Sequence, residues 1–528
     1  MPATAYEIPH LTVEDFLGLP VRIGASISPD GTRIAYLAPW RNRLNVWVTG
    51  IGTGEQPRRV TAEALRSVRT YHWTDDPRWL LYEQDRDGDE NWRIYRVDLE
   101  NPDAEAVELT PFPGVRAMGL EMPVTWPGRA ILRLNGRDPA EFDLYTLDIA
   151  TGELTMLARN PGLVADLICT PDGDVCALAL TADGYIELSQ WDVGTGALRR
   201  VRTFDGADHP MGVRPFQLTP DGTGAWIGSS RGSDRTRLVR LDLTTGAETE
   251  VDSHPAHDLD TRSAVHPEVP SPLIIDRCTG DLIGVRYLGE RQVIHPLDPH
   301  FAAVLENLEQ LSDGDLAAVS SDVCGQRWVV SFTHDRAPGI TYYYNHSTGE
   351  SRMLFRPYPH LDPDFLAPMT PVTIPARDGL DLPSYLTLPV GTDPTGLPLV
   401  LLVHGGPWTR DGWGFHPVVQ LPANRGYAVL QADFRGSTGH GKAHLKAGIG
   451  ELAGKMHHDL LDAVDWAVKE GFADRDRVAI VGCSYGGYAA LVGAAFTPTS
   501  SRPRSTSAAR PTSSPSCARR RTSRSRTC

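Results

Sequence analysis

Val478-Ala-Ile-Val-Gly-Cys-Ser-Tyr-Gly-Gly-Tyr488 is the stretch whose reading decides the fold. Val478 to Val481 is a short apolar run closed by glycine, the texture of a buried strand. Gly482-Cys483-Ser484-Tyr485-Gly486 fits G-x-S-x-G, and Ala489 to Phe496 reads as a helix. Strand, sharp turn and helix with a serine at the apex make a nucleophile elbow. The turn forces the serine into a strained backbone conformation, and a Cβ at either flanking glycine would crowd the strand and helix.

Upstream, the texture differs. From Val21 to Arg356 the chain is a succession of short β-type segments with turn signals between them and almost no helical periodicity. Ser28-Pro-Asp-Gly31, Thr170-Pro-Asp-Gly173 and Thr219-Pro-Asp-Gly222 are near copies, each preceding a strand. Pro presets φ and Gly accepts positive φ, so each suits a tight turn. A second signature reads Asp148-Ile-Ala-Thr-Gly152, Asp192-Val-Gly-Thr-Gly196 and Asp242-Leu-Thr-Thr-Gly246, with its threonines 44 and 50 residues apart. That period is one four-stranded propeller blade. Seven units are expected, starting near Ile27, His72, Pro123, Ile168, Gln217, Leu273 and Leu316, of which the third, sixth and seventh are degenerate. Their Asp and Gly residues carry turn chemistry and no catalysis. Asp85-Arg-Asp-Gly-Asp-Glu-Asn91 has the composition of a calcium loop without its twelve-residue spacing or closing Glu, so it reads as a blade loop.

Leu11 to Pro20 reads as a short helix capped by Thr12. Residues 357–370 are Pro- and Asp-rich and read as a linker. Beyond them, strands at Val372 to Ala376 and Leu382 to Leu388 flank the turn Arg377-Asp-Gly379. Leu397 to Val403 runs into His404-Gly-Gly-Pro407, Tyr427 to Ala432 is another buried strand, and Leu452 to Lys469 has helical spacing. Alternating strands and helices argue for a mostly parallel sheet. A serine needs oxyanion donors. The N–H of Tyr485, just after the serine, and one from the His404-Gly-Gly-Pro407 loop stand in the places where this fold supplies them.

His404-Gly-Gly-Pro-Trp408, Phe434-Arg-Gly-Ser-Thr-Gly439 and Gly482-Cys-Ser-Tyr-Gly-Gly-Tyr488 together resemble the prolyl oligopeptidase family of serine peptidases, most closely its acylaminoacyl-peptidase-like branch. The resemblance runs from residue 10 to about 497. It implies a β-propeller of about seven four-stranded blades over an α/β-hydrolase domain, the active site between them, and cleavage of short peptides because the propeller limits access. It makes Ser484 the nucleophile and Gly406 and Tyr485 the oxyanion donors. Asp433 stands where the family more often has Asn. The organisation expected is an N-terminal segment (1–20), propeller (21–356), linker (357–370), hydrolase domain (371–497) and a tail (498–528).

One feature departs from this pattern. Hydrolases of this fold order the triad Ser, Asp or Glu, His, and no Asp, Glu or His follows Ser484 in this sequence. The resemblance implies both partners on a further stretch of chain. From Pro498 the sequence is Ser, Thr, Pro, Ala and Arg, with eight Arg and no acidic residue, a composition that builds no core. The expectation is an incomplete hydrolase domain followed by an out-of-frame, disordered tail, inactive as written, with the elbow strand left unpaired along one edge. His440, His457 and His458 are expected in surface or turn roles, because the fold delivers its base from a later loop. The alternatives are a propeller-based binding or scaffold protein and a non-peptide ester hydrolase.

Composition bounds the rest. Apolar content of 41%, charged content of 22% and a net charge of −15 are those of a soluble globular protein and argue against nucleic acid. No apolar stretch is long enough to span a membrane, and Met1 to His10 lacks the features of a secretory signal. Seven scattered cysteines without a C-x-x-C pair suggest a reduced, cytoplasmic protein. No cofactor and no metal are expected; the partner is a short peptide substrate, and the oligomeric state is left open.

Overall fold

A computed structural model describes residues 8–497 apart from 102, 163–164, 171 and 265–268. Pro171 of the second turn repeat and the tail 498–528 therefore lie outside the described residues. Seven small antiparallel sheets follow one another along residues 23–355 as a seven-bladed β-propeller. Their first strands are Ile23–Ile27, Thr70–Trp73, Ala117–Glu121, Ala165–Cys169, Phe216–Leu218, the pair Asp258–Leu259 with Leu273–Ile275, and Asp315–Ser321. The turn reading holds: the glycines of the repeats, such as Gly31 and Gly222, sit at φ 68° and 67°.

Three expectations need correction. The third unit begins with Ala117–Glu121, before Pro123. The sixth blade has four strands but only three abreast, because Asp258–Leu259 and Leu273–Ile275 share one edge of Leu282–Leu288. After its last strand comes a helix, Pro299–Glu309, which the β-rich texture concealed. Asp298 caps it, Pro299 opens it, and Phe301, Val304, Leu305 and Leu308 form the buried stripe at helical spacing.

The ring closes by side-chain packing and not by a shared strand. Ala25, Ile27, Ile34 and Tyr36 of the first blade interdigitate with Val329, Tyr343 and Phe355 of the seventh. Arg277, from the sixth blade, donates to the carbonyls of Ile27 (2.8 Å) and Ser321 (3.0 Å), joining three blades with one guanidinium. We expect Arg277→Ala to cost about 2–3 kcal/mol in urea unfolding, since charged hydrogen bonds to otherwise orphaned carbonyls are lost.

The remaining sheet combines β1 (Met369–Pro375), β2 (Asp381–Thr387), β3 (Leu397–Val403), β4 (Ala428–Ala432) and β5 (Ala473–Gly482) in the order β1-β2-β4-β3-β5. It is mixed and not mostly parallel: β1–β2 and β2–β4 are antiparallel, β4–β3 and β3–β5 parallel. Among the described residues β5 is an outer strand, paired with β3 alone. Lys455–Lys469 is a helix, starting three residues later than its periodicity suggested, and buries Leu460, Ala463, Val464 and Ala467. These join Leu399, Leu401, Leu430 and Phe434 in the core under the elbow.

The N-terminal helix Val13–Leu17, with Thr12 and Asp15 in a capping box, belongs to this half of the molecule. Phe16 packs with Leu361 and Leu366, and Asn424 holds the backbone of Pro9 and Leu11. The chain thus touches the hydrolase half both before and after the propeller.

Candidate active site

The elbow has the geometry its glycines require. Ser484 sits at φ 55°, ψ −117°, between β5 and the helix Tyr485–Phe496, and its side chain is exposed. A non-glycine residue held there costs on the order of 1–3 kcal/mol, which the packing around it must offset. The packing is close: a Cβ on Gly482 would lie 2.6 Å from Val403 O, and one on Gly486 2.1 Å from the same oxygen. Glycine at both positions is what lets the turn press against the end of β3.

That contact brings the His404-Gly-Gly-Pro407 loop to the serine. A Cβ on Gly405 would stand 3.6 Å from Ser484 Cβ. Gly406 follows at φ 102°, a conformation open to glycine. No hydrogen bond among the described residues uses the N–H of Gly406 or of Tyr485. Tyr485 N–H is also one of the first N–H groups of its helix, where the dipole favours negative charge. The chain therefore presents an exposed serine hydroxyl with two unspent backbone donors on the loops beside it.

No base is in place among the described residues. His404, on the neighbouring loop, stacks on Phe434 at 4.5 Å and spends both nitrogens, Nδ1 on Gly405 O (2.8 Å) and Nε2 on Ser437 Oγ (3.0 Å). The expectation of surface or turn roles fails for His457, which is buried on the helix Lys455–Lys469, while His440 does stand in a bend. His440 is largely buried and donates from Nε2 to Asp433 Oδ2 at 2.7 Å. His457 is buried, with Nε2 3.3 Å from Thr497 Oγ1. His458 is exposed. None of them hydrogen-bonds Ser484.

Beneath the glycine loop lies a buried polar cluster that the sequence did not announce. Asp433 accepts from Asp411 N (2.8 Å) and from His440, with Arg410 Nε at 3.6 Å. Burial works to raise Asp433, but the hydrogen bond from His440 and the neighbouring cationic charge hold it below the usual carboxylate range. Burial pushes Asp411 up to about 6. Burial, then the charge of Arg410, lowers His440 to about 4, so at neutral pH it gives Asp433 an N–H and no charge. The folded pKa of His440 lies below the unfolded value near 6.5. Its stabilising share is therefore complete above pH 6.5 and is lost as pH falls towards 4. We expect His440→Gln, which keeps an N–H donor, to flatten the acid limb of a stability–pH curve by about one proton between those values.

The same loop anchors the two halves of the molecule. Arg410 Nη2 donates to Gly289 O (3.0 Å), and Tyr385 Oη donates to Glu290 O (2.8 Å), both on the sixth blade. Lys442 Nζ reaches Ser230 O (2.9 Å) on the fifth and Asp208 Oδ1 (3.2 Å) in the connection leading into it. Between these contacts is a cavity of about 180 Å³, lined by Trp408, Thr409 and Thr438 on one side and Asp208, Arg262 and Met211 on the other. Among the described residues no helix is long and apolar enough to cross a membrane.

Known proteins agree with this architecture. Residues 413–501 match the sequence profile of the Prolyl oligopeptidase family. Dipeptidyl aminopeptidase BIII of Pseudoxanthomonas mexicana is 38% identical over 499 residues, 91% of this chain and 69% of the relative. Dipeptidyl peptidase family member 6 of Caenorhabditis elegans is 28% identical over 521 residues, 90% of this chain and 67% of the relative. The crystal structure of a puromycin hydrolase superimposes with a TM-score of 0.67 over 92% of this chain and 77% of that one, at 19% identity, a likeness of fold. With nearly the whole of this chain matched to more than two thirds of the Pseudoxanthomonas relative, the chain belongs to the prolyl oligopeptidase family of serine peptidases.

Proposed function

We propose that Ser484 is the nucleophile of a peptidase that removes dipeptides from short peptides, with Gly406 and Tyr485 N–H as its oxyanion donors. The observation that carries this reading is the strained serine at the apex of the elbow, packed against Gly405 with both donors unspent. The dipeptidyl preference is carried over from the printed names of the two relatives.

In this reading Ser484 Oγ attacks the scissile carbonyl, and the new oxyanion lies between the two N–H groups at the start of the helix Tyr485–Phe496. Collapse expels the amine and leaves an acyl-serine for water to cleave. Each step needs a proton carried from serine or water to the leaving group. Within these 528 residues no Asp, Glu or His follows Ser484. On this reading the 528 residues by themselves keep only the modest catalysis an oxyanion hole provides without its base.

A fluorophosphonate probe tests this. The 528-residue chain labels at Ser484 slowly and without saturation. A chimera joining residues 8–497 to the remaining third of the Pseudoxanthomonas relative labels rapidly and releases dipeptides from peptide p-nitroanilides. Rapid stoichiometric labelling of the unmodified chain contradicts its inactivity. A chimera that labels at another residue contradicts Ser484.

A further inference from the structure

Within the propeller, the first strands of blades three to six face a common cavity of about 460 Å³, whose Arg214 also lines the cavity against the hydrolase half. That volume is in the range of small-ligand sites. Three charged side chains meet there from three blades. Arg133 belongs to the second strand of blade three, Asp166 to the first strand of blade four, and Arg214 precedes the first strand of blade five. Arg133 Nη1 pairs with Asp166 Oδ1, and Arg214 Nη2 with Asp166 Oδ2.

Two guanidiniums therefore meet on the one carboxylate of Asp166. Asp166 is the only hydrogen-bond or ion-pair partner of either guanidinium among the described residues, so each keeps N–H donors unspent. Burial lowers the pKa of both arginines without discharging them. Glu121 also lines the cavity and attracts both guanidiniums, while burial works to raise its pKa.

The backbone is shaped to admit Arg133. A second-strand side chain would ordinarily lie behind the first strand. Here the first strand bulges: its pairing jumps from Met118↔Arg133 to Glu121↔Ile131. Gly119 occupies the bulge at φ 64°, and a Cβ there would stand 2.7 Å from Arg133 Nη2. Around the ion cluster the walls are apolar, with Ile168, Phe216 and Ile275 among them. With Arg133 largely buried and Arg214 partly open to the cavity, their free N–H groups suit a carboxylate, which can accept from both at once.

We infer that the propeller cavity binds the C-terminal carboxylate of a short peptide, clamped jointly by Arg133 and Arg214. The choice of a peptide as ligand rests on the peptidase reading above; the carboxylate clamp rests on the cavity alone. The site would hold free peptides within the propeller.

Titration calorimetry of the full chain tests it with triglycine, triglycine amide and acetyl-glutamyl-glycinamide, which carries only a side-chain carboxylate. Triglycine is expected to bind at least about tenfold more tightly than either of the others, the worth of one charged hydrogen bond. Arg133→Gln and Arg214→Gln should each weaken it by a similar factor, with folding checked by near-ultraviolet circular dichroism. Asp166→Asn releases both guanidiniums and should tighten binding, a direction that simple damage to the blade would not produce. Equal binding of triglycine and its amide overturns the proposal, as does weaker binding in Asp166→Asn. Binding of the glutamyl amide as tight as triglycine overturns the assignment to the chain terminus. The measurement involves no bond cleavage, so its failure leaves Ser484 untouched, and failure of Ser484 to react leaves the clamp standing.

Discussion

Gly486→Ala is expected to destabilise the hydrolase half by about 3 kcal/mol or more, while Gly487→Ala is tolerated. The added Cβ at 486 would stand 2.1 Å from the backbone oxygen of Val403, and no side chain can rotate away to relieve it. The elbow would have to lift from β3, carrying Ser484 away from Gly405. At Gly487 the nearest atom to an added Cβ is Gly482 O at 3.5 Å, an ordinary contact, and alanine there favours the helix. Urea unfolding followed through the hydrolase half compares the two. Equal effects would mean that the close approach of Gly486 to β3 does not hold the turn.

This pair also shows what was legible in the sequence. G-x-S-x-G is a local pattern: five residues determine the turn, and the apolar runs around it place it on strand and helix. The blade repeats are local too, since Pro-Asp-Gly and Asp-x-x-Thr-Gly each close a turn within a few residues. The helix Pro299–Glu309 was also there to be read, from Asp298-Pro299 and the spacing of Phe301, Val304, Leu305 and Leu308, but the β texture on either side masked it. Other features join residues far apart in sequence. Arg410 with Gly289, and Asp433 with Asp411 and His440, depend on how loops meet in space. Nothing in the spacing of those residues reveals that His440 is buried against a carboxylate. The mixed sheet order was likewise hidden, because apolar runs give no direction to strand pairing.

The second large effect is expected at Arg435, in the Phe434-Arg-Gly-Ser-Thr-Gly439 motif. Its guanidinium is buried and bonded to two carboxylates. Nε and Nη2 donate to Asp459 at 2.8 and 2.7 Å, and Nη1 and Nη2 donate to Asp378 at 2.9 Å each. Asp459 stands on the helix Lys455–Lys469, and Asp378 in the turn between β1 and β2, so one side chain ties three elements together. Arg435→Met should cost about 3–5 kcal/mol, because it leaves the fully buried Asp459 carboxylate unpaired. A loss below about 1 kcal/mol would show that the clamp is dispensable.

Acid should loosen the same clamp. Arg435's hydrogen bonds, more than any other cause, hold Asp378 down to about 2. A carboxylate whose folded pKa lies below its unfolded value stabilises the fold above that unfolded value, near 4, and loses the contribution as pH falls towards 2. Asp378→Asn should therefore reduce stability at neutral pH and flatten its dependence between pH 4 and 2. Asp378 is partly exposed, so the effect is modest beside that of Arg435.

The central proposal is that Ser484 is the elbow's nucleophile, with no base in place among the described residues. Acetylation of the 528-residue chain by p-nitrophenyl acetate, followed by peptide mass spectrometry with and without imidazole, tests it most directly. The account predicts slow acetylation at Ser484 that rises with the concentration of neutral imidazole and disappears in Ser484→Ala. Acetylation that is fast without imidazole, or that falls on another residue and persists in Ser484→Ala, would contradict it.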